Sequence, residues 1–148
     1  MENSILMAWN DSISSRAALD YLDRLSICPE NVHITLLHVF RKASASEELM
    51  GKTFTKEEEE RLSDLLQKTR NNLIEKGFYP ENIHIKMVTE PYPTIAEGIF
   101  DQFKKDHYNL VVIGRKRMSK AEEFVMGDIS VKLVRILENA AVLVVKSP

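Results

Sequence analysis

Apolar character arrives in short bursts along this chain, and each interval between bursts is long enough to hold a helix. The bursts are residues 4–9 (SILMAW), 32–40 (VHITLLHVF), 82–89 (NIHIKMVT), 110–114 and 140–146. Most are continuous rather than alternating, the pattern of a parallel strand covered on both faces. NIHIKMVT alternates apolar with polar residues, which suits a half-exposed strand at a sheet edge.

The intervals read as helices. NDSISS follows the first burst and supplies turn and cap residues, after which Ala17, Ala18, Tyr21, Leu22 and Leu25 recur at helical spacing. Residues 41–54 show no periodicity and read as a long loop. Thr55 and Glu58 form a T-x-x-E capping box, and Leu62, Leu65, Leu66 and Leu73 mark one face of a helix ending near Gly77. Beyond Pro91 and Pro93 a helical period runs through Ile95, Ala96, Ile99, Phe100 and Phe103, and a last helix spans 129–137. No sequence repeat or composition break is evident.

The order βαβαβαβαβ predicts an α/β fold: a single doubly wound domain over 1–148, with a five-stranded parallel sheet and helices on both faces. Strand order 3-2-1-4-5 places the reversal of winding between strands one and four, and ligands of such sheets bind beyond the carboxyl ends of the strands at that point. Trp9, Asn10 and Asp11 then face Gly114 and Arg115 across one crevice.

Composition narrows the function. With 148 residues the chain builds one substantial core. A formal net charge of -2 gives no global attraction to nucleic acid or anionic membrane, so any basic site is local. The N-terminus has no signal-peptide pattern, no apolar run approaches the roughly 18 residues of a membrane span, and the expected location is cytoplasmic. Cys28 is the only cysteine, so no internal disulfide forms.

The richest stretch is VVIGRKRMSKAEEFVMGDIS, residues 111–130. Gly114 permits close approach to the main chain, and Gly127 precedes a helix whose first N–H groups lack intrahelical partners. Together they can form an anion site beside Arg115, Lys116, Arg117 and Lys120. The plainer alternative is that Gly114 ends a strand, the basic residues are solvated with Glu122 and Glu123 nearby, and Asp128 caps the helix. No Walker A pattern is present.

The pieces ILMAWNDSISSRAAL, TLLHVF, EPYPTIAEGIFDQF, NLVVIGRKR and MGDISVKLVRILENAAVLVVK resemble the universal stress protein family across nearly the whole chain. That resemblance implies a dimeric, doubly wound stress protein. One branch of the family binds ATP through a signature G-x2-G-x9-G-[ST], and another lacks the signature and binds no nucleotide detectably. Here Gly114 and Gly127 keep both spacings, but Arg117 replaces the middle glycine and Asp128 the final Ser or Thr. The family's strand-one Asp falls on Asn10, or on Asp11 with a one-residue shift.

Asp128 bears on triphosphate affinity, because like charges about 4 Å apart repel by roughly 4 kcal/mol at an effective dielectric of about 20. Arg117 could clamp a phosphate in a bidentate fork, or pair with Asp128 across an empty site. Mg²⁺ held by Asp128 could restore phosphate binding. By resemblance, Asn10 and Asp11 meet the nucleoside, Val39 and Phe40 wall the base, and Gly114, Arg115, Arg117, Gly127 and Asp128 surround the phosphates. Trp9 either stacks on adenine or buries against a helix, and His38 reads as a satisfied strand histidine near the crevice. His33 and His84 alternate with apolar neighbours, and His107 sits on the surface.

Three functions follow in order: a regulatory module binding ATP or AMP, with Mg²⁺ or Mn²⁺; an interaction protein whose crevice is closed by its own side chains; and, last, a nucleotide hydrolase, for which no motif places a general base. The apolar final strand would lie at a sheet edge, and the resemblance implies that Val142, Leu143, Val144 and Val145 pair with a second copy in a homodimer.

Overall fold

The computed structural model describes residues 3–9, 12–41, 49, 56–117, 119–121 and 129–147. Along the chain run β1 (Asn3–Ala8), α1 (Ile13–Arg24), β2 (Val32–Arg41), α2 (Lys56–Glu75) and β3 (Ile83–Tyr92). They are followed by α3 (Ile95–Lys105), β4 (Leu110–Lys116), α4 (Ile129–Ile136) and β5 (Ala141–Ser147). The strands form one parallel sheet in the order β3-β2-β1-β4-β5, as the alternation of elements predicts.

The continuous apolar character of β1 follows from its place at the centre. Ile5 stands beside Ile34 on β2 and Leu110 on β4, and Ile5, Leu6 and Met7 are wholly buried. One face carries Ile5, Met7, Ile34, Leu36 and Val112 against Leu22 of α1 and Leu66 and Leu73 of α2. The other carries Leu6, Leu37, Val39, Val111 and Ile113 against Ile99 of α3 and Leu133 of α4. Each fully buried side chain of this size contributes about 1.5–3 kcal/mol.

The helix ends obey local chemistry. Ser12 caps α1, its Oγ accepting from the Ser15 amide at 3.1 Å. Thr94 caps α3 by accepting from the Glu97 amide at 3.2 Å, and with Glu97 it forms a T-x-x-E pattern that the prolines at 91 and 93 had overshadowed. The box expected at Thr55, and most of the loop over 41–54, lie outside the described residues. After α2, Gly77 takes φ 104, the Phe78 amide donates to Leu73 O at 3.1 Å and the Gly77 amide to Ile74 O at 3.0 Å. This is the Schellman closure expected of a glycine there.

Two features depart from the sequence reading. Pro29–Asn31 and Pro80–Asn82 are identical PEN tripeptides, both 3₁₀ turns, and each leads into an aliphatic-His-Ile entry to its strand. A short repeat therefore exists; because β2 and β3 are neighbours with Ile34 beside Ile83, it stacks His33 on His84 with centroids 6.4 Å apart. The second departure is that β4 does not stop at Gly114. Pairing continues as Arg115 beside Lys146 and Lys116 beside Ser147, so the first two basic residues belong to the strand. The backbone of β5 supplies the partners that carry β4 past its glycine.

Candidate functional site

At the carboxyl ends of β1, β2 and β4 lies a cavity of about 430 Å³, within the roughly 300–1,000 Å³ range of small-ligand pockets. It sits where the winding reverses, the position that the strand order predicts.

Its β2 side is mainly apolar, built from Leu37 and Val39 with Ile95 and Ile99 of α3, and His38 lines it as well. Trp9, just past β1, is held to this side through both of its main-chain groups. Its amide donates to Leu37 O at 2.7 Å, and its carbonyl accepts from His38 Nδ1 at 2.8 Å. A carbonyl only accepts, so Nδ1 carries the proton and the neutral ring keeps its lone pair on Nε2. Phe40 packs edge-on against that imidazole, with centroids 4.5 Å apart.

Burial depresses the pKa of His38 below its ordinary value, outweighing the hydrogen bond to Trp9 and the nearby Glu58, which favour the charged form; Arg61 lowers it further. A depressed folded-state pKa means that the unfolded chain binds more protons as pH falls below about 6.5. The contribution to stability is therefore complete above that pH and is lost as the solution is acidified toward the folded value. Urea midpoints at about pH 7.5 and about pH 5.5 are expected to fall less in His38→Asn, whose amide can keep the bond to Trp9, than in the wild type. Equal losses in both proteins would contradict this assignment.

The β4 side is the more polar one, although Ile113 and Ile129 also line it. Arg115 and Lys116 of β4 line it, with Ser12, Ser14 and Ser15 at the start of α1 and Ser130 in the first turn of α4. The three hydroxyls form a small cluster centred on the cap, Ser12 Oγ lying 3.0 Å from Ser14 Oγ and donating to Ser15 Oγ at 3.2 Å. The starts of α1 and α4 both contribute to this side, and helix N-termini favour anions. An apolar wall facing cations, hydroxyls and helix starts suits a ligand with a flat apolar part and an anionic part.

Gly114 lines the cavity and also carries a packing duty. A Cβ built there would lie 2.1 Å from Ser14 O, 2.3 Å from Ser14 C and 2.9 Å from Ser15 N. The first turn of α1 thus rests directly on the strand at the only residue type that leaves room for it.

Of the residues expected at the crevice, Trp9, Val39, Gly114 and Arg115 line the cavity. Phe40 is buried beside His38 and is not part of the wall; Arg117 is exposed and also outside it. Asn10, Asp11, Gly127 and Asp128, with Glu122 and Glu123, lie outside the described residues. The serines of α1, Ser130 and Lys116 are wall residues that no motif marked. Their signal was positional: hydroxyl caps directly after strand one, and a helix start directly after the basic loop.

A second cavity of about 550 Å³ lies at the opposite end of the sheet, with Phe100, Lys104, Asp106, His107 and Glu138 among its lining residues. Although larger, it sets two carboxylates against one ammonium, and Lys104 Nζ already lies 4.6 Å from the Phe100 ring centroid. It is the poorer site for an anion. Among the described residues no group of three or more His, Cys, Asp or Glu is gathered to hold a metal, and no helix is long and apolar enough to cross a membrane.

Comparison with known proteins agrees with this architecture. The model of the universal stress protein family matches residues 1–146. Comparison with curated proteins finds no significant match. Among solved structures, the hypothetical protein MJ0577, the subject of a structure-based assignment of biochemical function, superposes with TM-score 0.71 at 19% identity, covering 100% of this chain and 98% of that one. A universal stress protein solved in complex with cAMP gives TM-score 0.63 at 13% identity, covering 97% of this chain and 95% of that one. One from Archaeoglobus fulgidus in complex with dAMP gives TM-score 0.63 at 11% identity, covering 99% and 98%. At these identities the likeness carries the fold.

Proposed function

This chain belongs to the universal stress protein family, and we propose that it is a cytoplasmic stress-response regulator whose cavity at the carboxyl ends of β1 and β4 binds an adenine nucleotide. The observation that carries the reading is the division of one cavity into an apolar β2 side and a cationic, hydroxyl-bearing β4 side at the reversal of winding. The base rests against Leu37, Val39 and Ile95, and the phosphate faces Arg115, Lys116 and the starts of α1 and α4. Two relatives of the same fold were solved with the monophosphates cAMP and dAMP. A monophosphate also suits this chain, because Asp128 stands where the triphosphate signature has a hydroxyl.

Calorimetric titration with AMP, ADP and ATP, each with and without Mg²⁺ or Mn²⁺, tests the proposal. AMP is expected to bind once per chain, and ATP to gain most from the metal. The absence of heat at millimolar nucleotide under every condition would contradict nucleotide binding and leave an interaction protein with a self-closed crevice.

The proposal includes a homodimer. β5 is a sheet edge, and Val142, Leu143, Val144 and Val145 on it are only half-buried. Pairing of this edge with its copy about a two-fold axis would cover them and satisfy the open ladder. Light scattering at micromolar concentration is expected to give the mass of two chains; the mass of one chain at every concentration would contradict the pairing.

A further inference from the structure

The cavity at the opposite end of the sheet plays no part in nucleotide binding, and its chemistry is the reverse of the first. α3 ends at Lys105 and α4 at Ile136, and Lys104, Asp106, Ile136 and Glu138 all line this cavity, so the carboxyl ends of two helices open onto it. The last carbonyls of a helix lack intrahelical partners, and each such end carries roughly half a negative charge. Asp106 and Glu138 add two carboxylates against the single ammonium of Lys104. Asp106 also meets Lys86 Nζ at 3.6 Å, but both side chains remain partly exposed, and an ion pair of that kind is weak enough to exchange.

Aromatic walls separate this place from a plain acidic patch. Phe100, Phe103 and Tyr108 line the same cavity, the last two with ring centroids 6.3 Å apart. Phe100 already holds a cation, because Lys104 Nζ lies 4.6 Å from its ring centroid. The chain's own alkylammonium thus shows which chemistry the wall accepts. The cavity of about 550 Å³ is space that Lys104 leaves unfilled, and it falls in the range of small-ligand sites.

We propose that this cavity is a second ligand site, for a small alkylammonium cation. The ammonium lies between the two helix ends and the carboxylates, the hydrocarbon stem rests against Phe103 and Tyr108, and the ligand displaces Lys104 from the face of Phe100. The site stands independently of nucleotide binding.

Hexylammonium is the probe, and hexanol is its neutral counterpart of equal length. Amide shift mapping of the ¹⁵N-labelled protein should give saturable shifts at Phe103, His107 and Asn139 with hexylammonium, and an affinity for hexanol about fivefold or more weaker. Lys104→Gln removes the competing ammonium and should tighten hexylammonium about threefold or more. Glu138→Gln should weaken it by a similar factor, and Phe100→Leu added to Lys104→Gln by about two- to fivefold. Lys104 and Glu138 are exposed, so their variants are expected to keep the wild-type thermal midpoint. If Phe100→Leu does not fold, the two exposed variants and the hexanol comparison decide the matter. The proposal is overturned by the absence of saturable shifts in both the wild type and Lys104→Gln, by hexanol binding as tightly as hexylammonium, or by shifts confined to the acidic first turn of α2 around Glu57 and Glu58. None of these outcomes bears on AMP binding at the other cavity.

Discussion

Gly114→Ala is expected to cost about 3 kcal/mol or more, at or above the top of the usual range for overpacking. The new methyl would meet Ser14 O at 2.1 Å and Ser14 C at 2.3 Å, and both are backbone atoms in the first turn of a helix. No rotamer change can relieve such a contact; either α1 lifts from β4 or the strand bends. Lifting α1 would disturb Ala18 and Leu22, both wholly buried, and would displace the serine side of the cavity. For a domain near this size the loss corresponds to a fall of roughly 6–12 °C in Tm. Thermal and urea unfolding measure it directly. A variant as stable as the wild type would show that α1 does not rest on the strand as described. Binding should weaken with stability, so Gly114 serves the fold and the site through the same contact.

Asp128→Ser is expected to raise the affinity for ATP by up to about a thousandfold. The basis is charge: a carboxylate replaces a hydroxyl at the end of the phosphate signature, and its repulsion of a triphosphate oxygen can reach about 4 kcal/mol at an effective dielectric of about 20. AMP, with less charge, should gain less. Arg117→Gly restores the middle glycine of the signature, but Arg117 is exposed and outside the cavity wall, so alone it should change affinity only slightly. Calorimetry on the two single variants and the double variant separates these effects. Unchanged ATP affinity in Asp128→Ser would mean that the carboxylate does not face the phosphates.

Much of the fold was legible because one-dimensional patterns report local geometry. Continuous apolar runs identified β1 and β4 as interior strands, alternation marked β3 as an edge, and Gly77 stopped α2 where its positive φ is needed. The site was less legible, because it depends on where neighbouring elements come to rest. Nothing before Gly114 reveals that Ser14 will occupy the space its side chain would have taken. Lys116 looked like a loop residue until pairing with β5 carried the strand past the glycine. Phe40 and Val39 both seemed fit to wall a base, but Phe40 packs edge-on against the His38 ring and, of the two, only Val39 lines the cavity. Trp9 was readable as core or as ligand contact; the structure makes its ring core and leaves its N–H unpaired.

A nucleotide in the cavity at the β1–β4 reversal would touch four elements at once. Amide chemical-shift mapping of the ¹⁵N-labelled protein during AMP titration tests it most directly. Saturable shifts are expected at Ser14, Ser15, Leu37, Val39, Arg115 and Ser130, on elements that meet only in the folded sheet. Shifts confined to the opposite end, around Phe103, His107 and Asn139, or no shifts at saturating AMP, would contradict it.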